Sequence, residues 1–343
     1  MKAGVYYNNR DVRAEERPVP RIGEEDILLK VMASGICGSD LMEWYRVKKA
    51  PLVLGHEVAG VIEKTGKNAK NFKKGDKVMA THHVSCNECN RCLAGNHTSC
   101  ELLHKTNFEP GGFAEYLRIP AINIEKGGVL KLPENVSFEE GTFIEPLACV
   151  LRSHRLANLT KGRSVLVIGS GIAGLLHIKA AKAGGVEKIF ATDISGYRLE
   201  YAKKFGADAV FSSNGFSPEK LKGENNGALA DIVILCTGAS PAVAQAFECV
   251  EPGGIVVLFA IPRPEDSVPF PYFNLWKTSI AIISSYAASP SDLKESLKMM
   301  ADSKIAVGDM ITHRLPLERI GEGFRLAAGA GNALKIIITP HPA

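Results

Sequence analysis

The sequence predicts an α/β protein in which a β-rich domain is interrupted by a doubly wound parallel-sheet domain. Up to about residue 150, the chain is rich in glycine and proline and contains short β-like runs, at 27–32, 57–63, 76–79 and 113–119. Beyond that point, short apolar runs alternate with helical patterns, and after residue 286 the composition of the first part returns. The predicted domains are therefore 1–152 joined with 287–343, and an inserted domain, 153–286.

The apolar runs of the inserted domain are rich in Val and Ile, which is typical of strands buried on both faces of a parallel sheet. They predict strands at 164–169, 188–193, 209–211, 231–236, 255–259 and 280–284. Segments between them have the pattern of crossover helices, for example at 174–183, 198–205 and 242–250. A helix at 290–303 and a strand at 335–339 are assigned to the tail of the first domain.

Composition and charge narrow the class of protein. Hydrophobic residues make up 45% of the 343 residues and charged residues 23%, which is enough for the cores of about two domains. A net charge of +4 is small for this length, so we expect neither nucleic acid nor a membrane as a partner. The N-terminus lacks the apolar region of a secretory signal, and we expect a cytoplasmic enzyme or binding protein.

A glycine-rich loop follows the first strand of the inserted domain. Gly169, Gly171 and Gly174 form a GxGxxG pattern that also includes Ile172 and Ala173 and opens a helical segment. Its first glycine allows a tight turn, the second lets the backbone approach a pyrophosphate, and the third lets helix and strand pack closely. The helix N-terminus would then face the phosphates with its N–H groups. A tight turn without a ligand is the alternative.

An acidic residue ends the next strand. Asp193 can accept hydrogen bonds from the ribose hydroxyls of adenosine and repel a 2′-phosphate, so NAD is favoured over NADP. The alternative is that Asp193 is a helix N-cap before Ile194. Arg198 could lie along the adenine or be a solvated helix residue.

Four cysteines are crowded into a short segment, at about 84–102. Cys86, Cys89, Cys92 and Cys100 have the spacing of ligands that close a tetrahedral shell around Zn²⁺. A shell of four thiolates leaves no open position, so this zinc is predicted to be structural. The alternative is an iron–sulfur cluster, but its motif places the next cysteine after three residues and follows it with proline.

Three other segments carry potential metal ligands. They are GICGSD with Cys37, GHE with His56 and Glu57, and EPLAC with Glu145. Taken singly, each has an ordinary explanation as a core thiol, a solvated or capping pair, or a helix start. Their spacing alone does not join them.

The chain resembles the zinc-dependent medium-chain dehydrogenase family, and most closely its sorbitol (polyol) and threonine dehydrogenase branch. The similar elements run through nearly the whole chain: GICGSD, LGHEVAGVIEKTG, FKKGDKV, the four-cysteine lobe, GGFAEY, EPLACV, GSGIAG, Asp193 and ITHRLPLERIGEGFRLA. The resemblance implies a GroES-like catalytic domain with an inserted Rossmann-type nucleotide-binding domain. This agrees with the organisation predicted above.

The resemblance also implies a second, catalytic zinc, so that each chain holds two Zn²⁺ ions and binds NAD. Cys37 and His56 are its implied ligands, with Glu57 as a third or alternating ligand. Glu145 takes a position that is cysteine in liver-type alcohol dehydrogenases. Ser39, Glu57 and Glu145 are the implied catalytic residues, and one metal position stays open for water or substrate.

The implied activity is the reversible, NAD⁺-dependent oxidation of a secondary alcohol of a small polar substrate, a polyol or sugar-derived alcohol, to a ketone. Ser39 would begin a proton relay from the substrate hydroxyl. Many relatives continue the relay through a histidine that is Met42 here, so adjacent Glu43 or water would have to replace it. Ile261 and Ser285 are implied to contact the cofactor.

Other functions stay open on the sequence alone. They are a threonine- or hydroxy-acid-type dehydrogenase, a simple secondary-alcohol dehydrogenase, a physiological carbonyl reductase and a catalytically silent NAD- and zinc-binding protein. A silent relative would have lost a zinc ligand or the relay hydroxyl, and neither is lost here. A polar substrate is favoured because Glu145 makes the zinc shell harder and because Trp44 lies among charged residues.

Ordinary polyols are disfavoured by one position, since sorbitol dehydrogenases tend to carry Arg-Tyr where this chain has Ser285-Tyr286. By analogy with the family, we expect a homotetramer or homodimer, and the apolar stretch 269–283 is the candidate pairing edge.

Overall fold

The structure, a computed structural model, describes residues 1–260, 262–329 and 331–341. Of the predicted site residues, Ile261 lies outside these ranges. The chain divides into two compact units, Met1–Ala148 with Ala287–Ala343, and Cys149–Tyr286. Within the described ranges, no helix has both the length and the apolar character needed to cross a membrane.

The elements are numbered along the chain. The strands are β1 (Lys2–Asn8), β2 (Asp11–Glu16), β3 (Ile27–Gly35), β4 (Leu52–Val53), β5 (Glu57–Thr65), β6 (Lys77–Ala80), β7 (Tyr116–Ile119), β8 (Val129–Lys131), β9 (Ser164–Ile168), β10 (Lys188–Asp193), β11 (Ala209–Ser212), β12 (Ala230–Leu235), β13 (Val250–Leu258), β14 (Ala281–Ser284), β15 (Ile311–Pro316) and β16 (Lys335–Thr339). The α-helices are α1 (Glu43–Arg46), α2 (Asn90–Leu93), α3 (Ala121–Glu125), α4 (Phe138–Gly141), α5 (Ile144–Leu156), α6 (Ile172–Ala183), α7 (Gly196–Lys204), α8 (Pro218–Glu224), α9 (Ser240–Cys249), α10 (Tyr272–Thr278), α11 (Pro290–Ala301) and α12 (Ile320–Ala328). Short 3₁₀ helices lie at Gly38–Leu41, Val47–Lys49, His97–Ser99, Gly308–Met310 and Leu317–Arg319.

The first unit is built on β-sheets. A seven-stranded sheet has the order β15-β16-β3-β5-β6-β8, with β7 paired to β3, and a smaller sheet has the order β2-β1-β4. In β3, Ile27, Leu29 and Val31 are fully buried while Lys30 is partly exposed, because successive side chains point to opposite faces of a sheet.

The second unit is a parallel sheet with the strand order β11-β10-β9-β12-β13-β14. Counted from β9, this is the 3-2-1-4-5-6 order of the doubly wound dinucleotide-binding fold. Every residue of β9 is buried, as expected for a central strand covered on both faces. The predicted α/β fold class is confirmed, and β10 has the predicted bounds.

Three strands of the first unit meet at one residue. Gly35, the last residue of β3, pairs with Glu57 of β5 on one side and with Ile337 of β16 on the other. Cys37 lies two residues after the end of β3, and His56 directly precedes β5. The register of this sheet therefore brings segments that are distant in sequence together at the end of β3.

Candidate active site

The four lobe cysteines lie together. Cys86 precedes α2, Cys89 and Cys92 lie at its start and within it, and Cys100 follows the His97–Ser99 turn. The Sγ–Sγ distances are 3.8 Å from Cys86 to Cys92, 3.5 Å from Cys89 to Cys92 and 3.5 Å from Cys100 to Cys86. All four are free thiols.

These distances fit a tetrahedral metal site. With Zn–S bonds of about 2.3 Å, the edges of a ZnS₄ tetrahedron are about 3.8 Å long. Backbone N–H groups of Cys86 and Cys89 also point at Cys100 Sγ and Cys86 Sγ, at 3.4 and 3.3 Å. Backbone hydrogen bonds from Glu88 and Cys89 lower the pKa of the Cys86 thiol to about 6, which favours the thiolate that metals bind, whereas burial raises the pKa of the Cys92 thiol to about 12.

A second group of potential ligands lies where β3 ends and the neighbouring strand β5 begins. One ligand atom each from Cys37, His56 and Glu57 lies within 4.8 Å of the other two. His56 and Glu57 are buried, with 8% and 1% of their surface exposed. A thiolate, an imidazole and a carboxylate are the donor types of catalytic zinc sites. The three side chains therefore fit the metal that the resemblance implies.

Asp40 orients the imidazole of this group. Its carboxylate is fully buried, lies 3.5 Å from His56 Nδ1 and accepts a hydrogen bond of 3.0 Å from the backbone N–H of Cys37. Burial opposes the charged imidazole, but Asp40 and Cys37 outweigh it and raise the pKa of His56. With Nδ1 facing Asp40, Nε2 is left for a metal, as in carboxylate–histidine–metal arrangements.

Two other predicted catalytic residues lie outside this group of three. Ser39 is the second residue of the Gly38–Leu41 turn that follows Cys37, and its hydroxyl lies 3.5 Å from Cys37 Sγ. Arg46 fixes this turn by donating a 3.0 Å hydrogen bond from Nε to the Ser39 carbonyl. Glu145 lies in the first turn of α5, and its role as a ligand stays a prediction.

Two histidines that sequence reasoning missed lie beside the site. The ring of His82 is 4.8 Å from that of His56 and 3.7 Å from that of His83. Neither Nδ1 atom has a hydrogen-bond partner within the described part of the chain, and both are buried. Burial lowers the pKa of His82 well below its usual value and that of His83 to about 4, so both rings are neutral at neutral pH. The HH pair just before the lobe was the only signal in the sequence.

The glycine loop of the second unit lies between β9 and α6. Gly169 has φ +94°, a left-handed conformation that favours glycine. A Cβ on Gly174 would lie 1.9 Å from the Gly169 carbonyl oxygen, so only glycine allows this close packing. A Cβ on Gly171 would meet nothing closer than Arg198 Nη1 at 3.9 Å, so the loop is open there. The twelve-residue helix α6 begins at Ile172, with Ala173 in its first turn.

Asp193 ends β10 beside this loop. Its Oδ2 accepts a 2.7 Å hydrogen bond from the backbone N–H of Ser170, and Oδ1 accepts one of 2.8 Å from that of Ser195. Arg198 Nη1 lies 3.9 Å from the same carboxylate. Each carboxylate oxygen has a second lone pair, so Asp193 can accept further bonds. Ser285 is buried, and its hydroxyl has no partner among the described residues.

The chain matches two family models. Residues 23–134 match the Alcohol dehydrogenase GroES-like domain, and residues 173–302 match the Zinc-binding dehydrogenase model. Between them the two models cover the lobe, the Cys37 group, most of the parallel sheet and α11.

Relatives match over almost the full chain. A probable D-xylulose reductase A from Aspergillus clavatus is 34% identical over 95% of this chain and 93% of its own length. A sorbitol dehydrogenase from Macaca fascicularis is 31% identical over 98% of this chain and 95% of its own. The structure of an alcohol dehydrogenase from Thermus sp. ATN1 superposes with a TM-score of 0.87, at 30% identity and 99% coverage of both chains.

The chain belongs to the zinc-dependent medium-chain dehydrogenase family, in its polyol dehydrogenase branch. It is an oxidoreductase that acts on CH–OH groups, with zinc and a nicotinamide dinucleotide as cofactors. The resemblance drawn from the sequence is confirmed.

Proposed function

We propose that the protein oxidises a secondary alcohol of a polyol or sugar-derived alcohol to a ketone with NAD⁺, and catalyses the reverse reaction. One observation carries this proposal. The buried group of Cys37, His56 and Glu57 lies beside two neutral histidines, His82 and His83, whose Nδ1 atoms have no partner among the described residues. The group provides a metal centre for the reacting hydroxyl, and the histidines offer bonds to its neighbours.

The two histidines favour a substrate with several hydroxyl groups. A buried polar atom left without a hydrogen bond costs about 1–3 kcal/mol. Polyol hydroxyls next to the reacting carbon can both donate and accept. The two Nδ1 atoms are inaccessible to solvent in this structure, so a rotation of the His82 and His83 rings would have to bring them to these hydroxyls. A simple apolar alcohol leaves these nitrogen atoms without hydrogen bonds. This difference in hydrogen bonding makes a polyol the preferred substrate.

The side chains around the metal centre have distinct roles in this proposal. Cys37, His56 and Glu57 would hold the zinc, with Glu145 as a further direct or water-mediated ligand. When bound, zinc stabilises negative charge on the substrate oxygen. Asp40 holds the His56 ring in orientation through its contact with Nδ1.

Ser39 receives the proton of the substrate hydroxyl in this mechanism. Beyond Ser39, Met42 cannot carry a proton, and Glu43 Oε1 accepts a 3.0 Å hydrogen bond from the backbone N–H of Asn9, which ties this carboxylate to the turn between β1 and β2. We propose that water takes the proton onward, with Glu43 as the alternative that the sequence also left open.

The glycine loop would bind the pyrophosphate of NAD, which carries the hydride chemistry. Backbone N–H groups at the start of α6, next to Gly171, would bind the phosphates. Asp193 would accept bonds from the adenosine ribose and disfavour a 2′-phosphate, so we propose NAD over NADP. Arg198 lies beside the loop, and Ser285 supplies a buried hydroxyl that a cofactor amide could satisfy. The proposed contact of Ile261 stays a prediction.

The second unit carries a candidate surface for self-association. In α10, Tyr272, Phe273 and Trp276 are 73%, 64% and 71% exposed, and β14 is an edge strand of the sheet. Exposed aromatic patches of this kind mark interaction sites. We propose a homodimer or homotetramer formed through this surface. By light scattering, Trp276→Glu should lower the mass toward that of a monomer, and a monomeric parent protein would contradict the proposal.

A cytoplasmic location and the absence of nucleic-acid or membrane partners stay predictions.

A substrate panel with NAD⁺ tests the proposed activity. It would comprise sorbitol, xylitol, inositols, sugar phosphates, threonine, 2,3-butanediol and simple alcohols. We expect the highest kcat/KM with a polyol or sugar-derived alcohol. His82→Phe should lower that value by about tenfold or more, as the loss of one buried hydrogen bond predicts, while leaving simple alcohols nearly unchanged. If simple alcohols gave the highest kcat/KM in the parent enzyme, the polar-substrate proposal would be wrong.

A further inference from the structure

A lysine is buried beside the candidate metal centre. Lys335, the first residue of β16, has no exposed surface, and its ammonium donates a hydrogen bond to Glu57 Oε2. The same Nζ atom lies 3.4 Å from the Ile36 carbonyl oxygen and 5.3 Å from the centre of the Phe143 ring. Burying an ammonium is costly unless it is paired, so the pairing with Glu57 accounts for its place here.

Gly35 provides the space in which the pair forms. A Cβ at this position would lie 2.5 Å from Glu57 Oε2 and 2.6 Å from Lys335 Cε. Its φ is outside the left-handed region, so space rather than backbone conformation requires glycine here. Since Gly35 pairs with Glu57 and lies opposite Ile337, the sheet register directs both charged side chains into this gap.

The Glu57 carboxylate therefore has two potential partners, the metal and the Lys335 ammonium. It belongs to the group that could hold the metal, and it is the partner of a buried ammonium. We propose that Lys335 is a positioning residue that competes with the catalytic metal for Glu57, and so keeps Glu57 a weak and exchangeable ligand. This inference rests on the proposed metal centre.

The proposed competition predicts the direction in which metal affinity changes when Lys335 is removed. Without metal, Lys335 is the only described cation paired with the Glu57 carboxylate, so removing it leaves a buried, unpaired charge. With metal bound, the metal neutralises much of that charge, and removing Lys335 costs less. Loss of the ammonium therefore raises the free energy of the metal-free protein more, and metal binding becomes tighter. If Lys335 only fixed Glu57 in place, its removal would loosen metal binding.

The same contact bears on the reaction. A thiolate from Cys37 and a carboxylate from Glu57 together cancel the charge of a divalent metal. Because the Lys335 ammonium partly neutralises the Glu57 carboxylate, the metal centre keeps more positive charge to attract the substrate oxygen.

Metal release from Lys335→Met tests the proposal. Zinc would be removed from the full chain by a competing chelator. The Cys37→Ser variant, which keeps only the zinc of the cysteine lobe, would give the part of the zinc release that comes from the lobe. We expect Lys335→Met to bind the Cys37-dependent zinc at least about tenfold more tightly than the parent, a size typical of coupling between neighbouring sites. Equal or weaker binding would overturn the proposal. If Cys37→Ser still held two zinc ions, the metal centre itself would be wrong.

A double-mutant cycle separates competition from simple charge repulsion. The effect of Lys335→Met on zinc affinity should be at least about fivefold larger with Glu57 present than in a Glu57→Gln background, since only contacting residues are coupled. Equal effects in both backgrounds would show that the ammonium only repels the metal, and the proposal would fail.

Folding and spectroscopy complete the test. If Lys335→Met folded only when zinc was added, the result would support the proposal. If it failed to fold even with zinc while Lys335→Met/Glu57→Gln folded, the pair would be purely structural. With cobalt at the site, Lys335→Met should shift the ligand-field bands and Lys335→Arg should return them toward the parent. Unchanged bands in Lys335→Met would contradict the proposal.

Discussion

A buried histidine pair should make the second unit sensitive to acid. His154 Nε2, on α5, lies 3.0 Å from His177 Nδ1, on α6, and the His177 ring also meets the Phe259 ring edge-on at 4.5 Å. Both histidines are buried. One shared proton satisfies the two facing nitrogens, so the pair has no place for a second.

Burial lowers the pKa of His154 from 6.5 to about 4, and burial together with the charge of His154 lowers that of His177 well below 6.5. Because the unfolded chain takes up protons first, stability is full above about pH 6.5 and falls as the pH drops toward 4. At 1.36 kcal/mol per pKa unit, His154 lowers the free energy of unfolding by about 2 kcal/mol at pH 5 and by about 3 kcal/mol near pH 4, relative to neutral pH. His177 adds a loss of the same sign.

Denaturant unfolding of the parent protein and of His154→Leu/His177→Phe, between pH 7.5 and 4.5, would measure this loss. Replacing both partners by apolar groups is expected to be nearly neutral for stability at pH 7.5. The variant avoids the losses from both histidines, so it should gain at least about 2 kcal/mol over the parent by pH 5, and protonation of zinc ligands affects both proteins alike. Parallel loss of stability in the two proteins would refute the reasoning.

Three further predictions concern the two sites. Cys89→Ser should unfold or aggregate, whereas Cys37→Ser should give a folded, NAD-binding, inactive protein with one zinc ion. Metal analysis of the parent protein should find two zinc ions per chain. A single zinc ion or an iron–sulfur absorption band in the parent would contradict the assignment. Replacing Asp193 with Ser and Ile194 with Arg should raise the kcat/KM ratio of NADP to NAD at least about tenfold, a change of about 1.4 kcal/mol. The Arg change alone is the control, and comparable use of both cofactors by the parent would count against the role of Asp193. Gly174→Ala places a Cβ 1.9 Å from a loop carbonyl and should weaken NAD binding by about tenfold or more with zinc content unchanged, so unaltered affinity in a fluorescence titration would disprove the loop's role.

The parallel sheet could be predicted because its signals are local. The run SVLVI and the glycines after it lie within a few residues, and burial on both faces makes β9 wholly apolar. The four lobe cysteines are equally local. By contrast, Cys37 meets His56 and Glu57 only through the register of β3 and β5, so their grouping came from the resemblance alone.

The features that escaped prediction depend on distant contacts or on exposure. Lys335 opens an apolar strand and looks like an ordinary edge residue, because Glu57 lies 278 positions away. The apolar stretch 269–283 was expected to be a pairing edge, and the structure shows a helix, α10, with exposed aromatic rings before the edge strand β14. Short aromatic runs do not reveal which ring faces the core.

Because Glu57 and Lys335 are far apart in sequence, they emerge from the ribosome at different times during translation. At about 5–20 residues per second, the ribosome needs roughly 15–60 s to reach Lys335 after making Glu57. The whole of Cys149–Tyr286 is made in that interval, and its sheet closes through contacts nearer in sequence. For that time the nascent carboxylate has no ammonium beside it, and zinc encountering the emerging chain would find Glu57 at its most available. The strand β16 then arrives at a sheet whose metal ligands are already made.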